Sequence, residues 1–316
     1  MERMDHTERQ RPHQQSPRDI RWIFFGPHGL RAGWGILLYA DILVSLYFVG
    51  GFLFGSWLGP GPRGALSPIR GLLTEALLFC IVLVATIVMS RVERKPLLAY
   101  GYQGRARRLL SGLVCGFAAI SALVLALFKL GYLSLQRSSL SPGSAFKDAV
   151  LWGIMFLLTG FTEESAFRGY PQFTLARGIG FWWGALLVAA LFGFTHSYNS
   201  GESPLGLISA GGVGLVFCLS LWYTGSLWWA VGFHAAWDWG QSFFYGTADS
   251  GMVARGHLLT THPIGPVLWS GGVTGPEGSV LVLPLLAFIA LLMFLWWGRR
   301  TQSPFAGAAW RPIRPD

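Results

Sequence analysis

Apolar residues in this chain neither alternate with polar ones nor recur as a single stripe; they run almost unbroken for about 20 residues at a time. Eight such runs stand out, at roughly 35–57, 71–90, 109–133, 147–169, 180–197, 205–223, 226–245 and 278–298. A helix rises about 1.5 Å per residue, so about 20 apolar residues cross a hydrocarbon core about 30 Å thick. The runs are too long and continuous for the dyad alternation of a membrane barrel, and strands are not expected. The pattern predicts an all-α protein, a polytopic membrane helix bundle of about eight transmembrane helices. The fifth and seventh runs are short and interrupted by glycine. Residues 1–32 read as a polar tail ending in an interfacial stretch from Trp22 to Trp34, residues 33–300 as the bundle, and 301–316 as a short basic tail. No short apolar core with a small-residue cleavage site follows the first charges, so a signal peptide is not expected.

Composition sharpens this picture. Only 12% of residues are charged and mean hydropathy is +0.46, whereas a soluble domain carries about a quarter charged residues. The 15 tryptophans and 23 phenylalanines suit side chains packed at headgroup level and against lipid. Cys80, Cys115 and Cys218 each lie inside an apolar run without metal-ligand spacing, and read as small buried thiols.

The net charge of +9 invites a nucleic-acid reading, but its distribution argues against one. Positive charge collects in segments between apolar runs, as it does where it orients membrane helices. With the N-terminus in the cytoplasm and eight crossings, about 18 of the 24 Lys and Arg residues fall inside and about 6 outside. The densest inner block is Arg91, Arg94, Lys95, Arg105, Arg107 and Arg108. Both termini are therefore expected in the cytoplasm, with the lipid bilayer as partner and no nucleic acid. The segment 246–277, rich in Gly, Pro and Thr, falls outside and reads as a cover over the bundle. No internal repeat of transporter type is evident.

Ionisable groups within apolar runs are costly, so each is a functional hypothesis. At the end of the fourth run, Glu164 and Arg168 are four apart and share a helix face, while Glu163 points about 100° away and stays available as a base or metal ligand. The fifth run closes on Phe192-Gly193-Phe194-Thr195-His196. The seventh carries His234 and Asp238, again four apart. A lone membrane histidine usually hydrogen-bonds a neighbouring helix, and a lone Glu–Arg pair is usually structural. The combination is harder to dismiss: gathered around one cavity, Glu163, His196, His234 and Asp238 would form a hydrolytic site with a base, imidazoles and a water. Asp41 and Glu75, by contrast, read as interhelical or snorkelling groups, and Glu202 and Asp249 as solvated loop residues. A straight-helix ruler sets His196 about 12 Å out of level with Glu163 and His234. The breakers Gly169, Pro171, Gly178 and Gly180 are expected to let the chain re-enter and restore the level.

The series Glu163-Glu164-x-x-x-Arg168, Phe192-x-x-x-His196 and His234-x-x-x-Asp238 resembles the three motifs of the CAAX protease and bacteriocin-processing (CPBP, or Abi) membrane proteins, which include the Ras-converting CAAX endopeptidases. By motif the resemblance covers about residues 145–245. It implies an intramembrane endopeptidase acting on a membrane-associated peptide or protein, of which a prenylated CAAX tail is one form. On the matching positions it implies Glu163 as the base that activates water and His196 as a holder of that water. His234 and Asp238 would complete the site, and Glu164 and Arg168, with Phe192, would support it. The chain has Asp238 where the eukaryotic enzymes have Asn, and an ionised carboxylate cannot donate to an oxyanion. Glu163, His196 and His234 could instead ligate a divalent metal such as zinc, although no His-Glu-x-x-His helix is present and a metal-free, glutamate-activated water is favoured. Two rival classes stand beside the peptidase: a non-catalytic immunity or scaffold protein of the same fold, and a small-solute transporter.

Overall fold

The computed structural model describes residues 20–27, 29–58, 65–300 and 302–306. Most of the polar N-terminal tail and the last ten residues of the basic C-terminal tail lie outside these. Each apolar run carries helix: α1 Ala32–Leu58, α2 Pro68–Glu93, α3 Arg108–Lys129, α4 Pro142–Ile179, α5 Phe181–Thr195, α6 Pro204–Thr224, α7 Trp228–Trp239 and α8 Val282–Gly298. Five of them (α1 to α4 and α6) are long and apolar enough to cross a membrane. The shorter α7 is prolonged by one wide turn over Gly240–Phe244. Proline at the first turns of α2, α4 and α6 starts each helix where a missing N–H costs nothing. Ser141 and Ser203 cap α4 and α6 by accepting from Ser144 N and Gly206 N.

The fourth helix is longer than the sequence suggests. Gly169 and Pro171 do not end it; one π-type turn over Ser165–Gly169 accommodates the proline, and helix continues from Tyr170 to Ile179. The chain reverses only at Gly180, whose φ of 89° suits glycine. Returning as α5, it forms an antiparallel hairpin on α4: Gln172 Nε2 donates to the Phe181 carbonyl, and the Phe167 and Phe192 rings meet at 5.2 Å. In that register Glu163 and His196 lie 17 and 16 residues from the reversal, so they stand at one level. The expected difference of about 12 Å disappears because the helix runs on, not because it breaks at Gly169.

Contacts between connections define two ends of the bundle. At one end, Leu227 N donates to Gly101 O, Ser303 Oγ donates to Trp222 O, and Phe305 packs on Phe173 and Phe181. At the opposite end the loops are tied by short strands, which the apolar pattern did not predict. In antiparallel register, β2 (Leu133–Arg137) pairs with β5 (Leu259–Pro263), while β4 (Met252–Ala254) joins β1 (Ala65–Leu66) and β3 (Ala248–Asp249). The expected run 109–133 thus ends as helix at Lys129, and its last residues turn into β2. Thr274 Oγ1 also donates to Gly201 O, fastening the 246–281 segment across this end.

The seventh helix is the axis of the packing. Every residue from Trp229 to Asp238 is buried. It lies against α3 at Gly112 and Gly116, where a Cβ would overlap the carbonyl oxygens of Trp229 and Phe233, and against α4 at Gly160. Small residues here let backbones approach closely, the usual device for packing helices in lipid, where apolar burial gives no net drive.

Candidate active site

Because α4 and α7 pack closely, the Glu163–Glu164 pair meets His234. Glu164 is fully buried; its Oε1 is 3.2 Å from Arg168 Nη1 and 3.1 Å from His234 Nδ1. The neighbouring Glu163 turns away and is about a third exposed, with Oε2 3.6 Å from His234 Nε2. Asp238, one turn after His234, brings Oδ2 to 3.4 Å from the same Nε2. One imidazole is therefore flanked by three carboxylates, one at Nδ1 and two at Nε2. With its partners ionised, His234 donates from both nitrogens only as imidazolium.

Arg168 is equally buried, and its guanidinium stacks on Phe192 with 4.1 Å to the ring centroid. Gly214 leaves the room: a Cβ there would overlap Arg168 Nη2. Phe192 also meets the His196 ring at 4.7 Å and the His234 ring at 6.1 Å, linking the motifs through one side chain. Its carbonyl lies 2.7 Å from His196 Nδ1. A carbonyl only accepts, so Nδ1 carries the hydrogen and Nε2 is left for another partner.

Glu163, His196, His234 and Asp238 all line one cavity of about 480 Å³. No hydrogen bond or ion pair joins His196 to the other three; it shares their cavity and, by the hairpin register, the level of Glu163. Phe192 lines the same cavity, while Glu164 and Arg168 stand behind it. Glu164 thus supports the site, as the resemblance implied, by holding both Arg168 and His234.

Three residues read as bystanders turn out differently. Glu75 on α2 faces into the cavity, with an Oε2 that makes no hydrogen bond. Asp249 is no solvated loop residue: it lines the cavity and accepts from Ser242 Oγ at 2.8 Å. Burial, with Asp238 and Glu277 nearby, holds its carboxyl well above the usual range. Glu202 is half-buried, accepts from Ser203 N at 2.8 Å and is likewise raised, chiefly by burial. Asp41 is exposed on α1.

Glu277 was not singled out by any motif. It lines the cavity too, accepting from Trp237 Nε1 at 2.8 Å and from Ser250 Oγ at 3.0 Å. The only sequence signal for Glu75 was a carboxylate inside an apolar run. For Asp249 and Glu277 there was none, because the 246–281 segment has no helical period to reveal its inward face.

The donor set does not fit a metal centre. Among the described residues, no three His, Cys, Asp or Glu side chains are grouped so as to hold an ion. The carboxylates close on His234 instead, and His196 has its Nδ1 turned to a carbonyl.

Comparison with protein families matches residues 145–240 to the Rce1-like family, described as type II CAAX prenyl endopeptidase Rce1-like. That segment, from within α4 to the end of α7, belongs with the CAAX proteases and holds the three motifs and the His234 cluster. Comparison with curated proteins and with solved structures gave no match.

Proposed function

We propose that this protein is an integral-membrane endopeptidase that hydrolyses a peptide bond of a membrane-associated substrate with water activated by Glu163. The observation that carries the reading is Glu163 itself: a carboxylate facing a cavity inside the bundle, 3.6 Å from His234 Nε2, with Oε2 making no hydrogen bond. A carboxylate so placed can take a proton from a water in the cavity. His196, with its Nδ1 hydrogen engaged by Phe192, offers Nε2 to hold that water.

In this reading the water oxygen attacks the scissile carbonyl carbon as its proton passes to Glu163. The carbonyl oxygen becomes an oxyanion, which the N–H of an imidazolium at His234 stabilises. Asp238, as a carboxylate, cannot donate to that oxyanion; it holds the positive charge on His234. When the C–N bond breaks, Glu163 returns its proton to the leaving amine. Every step uses side chains that line the cavity, and none requires a metal.

Eight crossings with both termini in the cytoplasm complete the proposal. The three shorter helices α5, α7 and α8 would cross with the five longer ones, supported by the alternation of connections between two ends. The matched family's description concerns prenylated CAAX substrates, and such a tail is one candidate here.

The test is cleavage by purified protein in detergent of a membrane-peptide library containing a farnesylated CAAX peptide, followed by mass spectrometry. Cleavage by wild type that Glu163→Ala abolishes is the expected result. Cleavage that survives Glu163→Ala would refute the mechanism. A folded wild type that cleaves nothing would favour a non-catalytic scaffold.

A further inference from the structure

We propose that the β3–β4 hairpin is the wall of the site on which the substrate peptide lies, and that Glu277 is the residue that positions it. The role of the wall rests on the peptidase reading; the hold of Glu277 on the hairpin does not.

Glu277 joins three elements. Its Oε1 accepts from Trp237 Nε1 on α7 at 2.8 Å, while Oε2 accepts from Ser250 Oγ at 3.0 Å and from Ser250 N at 3.3 Å. Its main-chain oxygen accepts from Ser209 Oγ on α6 at 2.8 Å. All these donors are neutral, so the carboxylate is a bracket between hydrogen-bond donors and not half of an ion pair. Such bonds are stronger than those between neutral groups.

The hairpin needs a bracket. Asp249 pairs with Met252 across a two-residue turn, Ser250-Gly251, in which φ is 44° and then 83°. Turns of this length call for positive φ, for which Asn-Gly is a favoured pair. Glycine meets that demand freely at position 251, whereas a serine at 250 is strained. Ser250 is buried, and such strain persists only where the surroundings over-determine it. Glu277 does so by taking both the N–H and the hydroxyl of the strained residue. Behind the tip, Gly251 N donates to Thr274 O at 3.0 Å, and a Cβ on Gly251 or Gly201 would overlap the other's backbone.

Held in this way, the hairpin presents Asp249, Ser250 and Met252 to the cavity that Glu163 and His234 also line. None of the three takes part in activating water or in holding the oxyanion in the reaction proposed above. The seventh helix keeps His234 in place by other means, through the backbone contacts at Gly112, Gly116 and Gly160 and the bond to Glu164. A displaced hairpin therefore weakens substrate binding and leaves the chemistry intact, which is read as a change in KM before kcat.

The test is steady-state kinetics of Glu277→Gln on a peptide that wild type cleaves, with a melting curve to confirm folding. A carboxamide has one acceptor oxygen and cannot serve Trp237 and Ser250 N together. KM is expected to rise by about 10-fold, the order of losing a hydrogen bond to a charged group, with kcat held within about threefold. Adding Ser250→Gly should recover most of that loss, because glycine keeps a positive φ unaided. Hydrogen exchange across 246–256 should be faster in Glu277→Gln than in wild type, with α7 unchanged. A fall in kcat at constant KM would show that Glu277 acts through Trp237 on α7 and would overturn the proposal. Unaltered kinetics, no recovery by Ser250→Gly, or unaltered exchange in the hairpin would overturn it as well. If wild type cleaves nothing while exchange rises as expected, the peptidase reading and the wall built on it fall, and the hold of Glu277 on the hairpin stands.

Discussion

Glu164 Oε1 stands 3.1 Å from His234 Nδ1, although the two residues are 70 apart in sequence. This contact ties α4 to α7 and fixes which way the imidazole faces, leaving Nε2 toward the cavity. Adjacent glutamates thus serve opposite nitrogens of one ring, because neighbours on a helix point about 100° apart. A carboxylate behind a histidine sets its tautomer and orientation; where the histidine is a metal ligand, losing such a partner costs about 10–100-fold, and the same order is expected for orientation here. Glu164→Gln is expected to lower kcat by about that factor with little change in KM. It should also lower the thermal midpoint in detergent, since Arg168 is left buried beside a neutral partner; breaking a buried pair costs about 3–5 kcal/mol when the remaining charge is uncompensated. Full kcat in a folded Glu164→Gln protein would remove the positioning role.

Glu163 should behave in the opposite way. Its side chain is about a third exposed to the cavity and makes no ion pair with Arg168. Glu163→Gln is therefore expected to leave the thermal midpoint nearly unchanged while lowering kcat by at least the ~10²–10⁴-fold that a general base contributes. Single-turnover cleavage alongside a melting curve separates the two glutamates. Equal destabilisation by both substitutions would contradict the division of labour drawn from the geometry.

That division was largely legible in the sequence. Four-residue spacing put Glu164 with Arg168 and His234 with Asp238, since local helix geometry dictates such pairs. The helical runs were legible because about 20 apolar residues in a row have few alternatives in lipid. The continuation through Gly169 and Pro171 was not, because glycine and proline signal a break, and only packing against α5 keeps the helix going. Glu75, Asp249 and Glu277 were missed for a related reason: they reach the cavity from α2 and from a segment folded back across the bundle. Nothing local marks a residue whose partner lies far along the chain, and even Trp237 beside Asp238 gave no sign of its bond to Glu277.

Close packing of α3 on α7 makes a stability prediction. A Cβ at Gly116 would overlap the Phe233 carbonyl oxygen, a backbone atom that cannot swing aside. Gly116→Ala is expected to destabilise the protein by about 1–3 kcal/mol, the usual cost of overpacking. Because Phe233 precedes His234, activity should fall as well. Gly51→Ala on α1 is the control, since a Cβ there meets nothing within 4 Å. Comparing thermal midpoints of the two variants in one detergent checks the claim; equal midpoints would mean that the helices are less closely apposed.

Asp249 makes the last prediction, and its sign follows from linkage. Its carboxyl is held well above the usual range, chiefly by burial and then by Asp238 and Glu277. The folded protein therefore binds this proton more tightly than the unfolded chain, where an aspartate titrates near about 3.9. Stability falls with rising pH wherever the folded state holds more protons than the unfolded state. The contribution of Asp249 is thus intact below about pH 4 and is lost as pH rises through its folded value. An asparagine at this position would not titrate, and its side-chain carbonyl could still accept from Ser242. Asp249→Asn should consequently gain in thermal midpoint relative to wild type as pH is raised from about 5 to 8, with the two curves converging toward the acid end. Curves that stay parallel across that range would show that Asp249 carries no strained charge. Curves that converge at the alkaline end would show that its carboxylate is stabilised by the fold, as an ordinary ion pair would be.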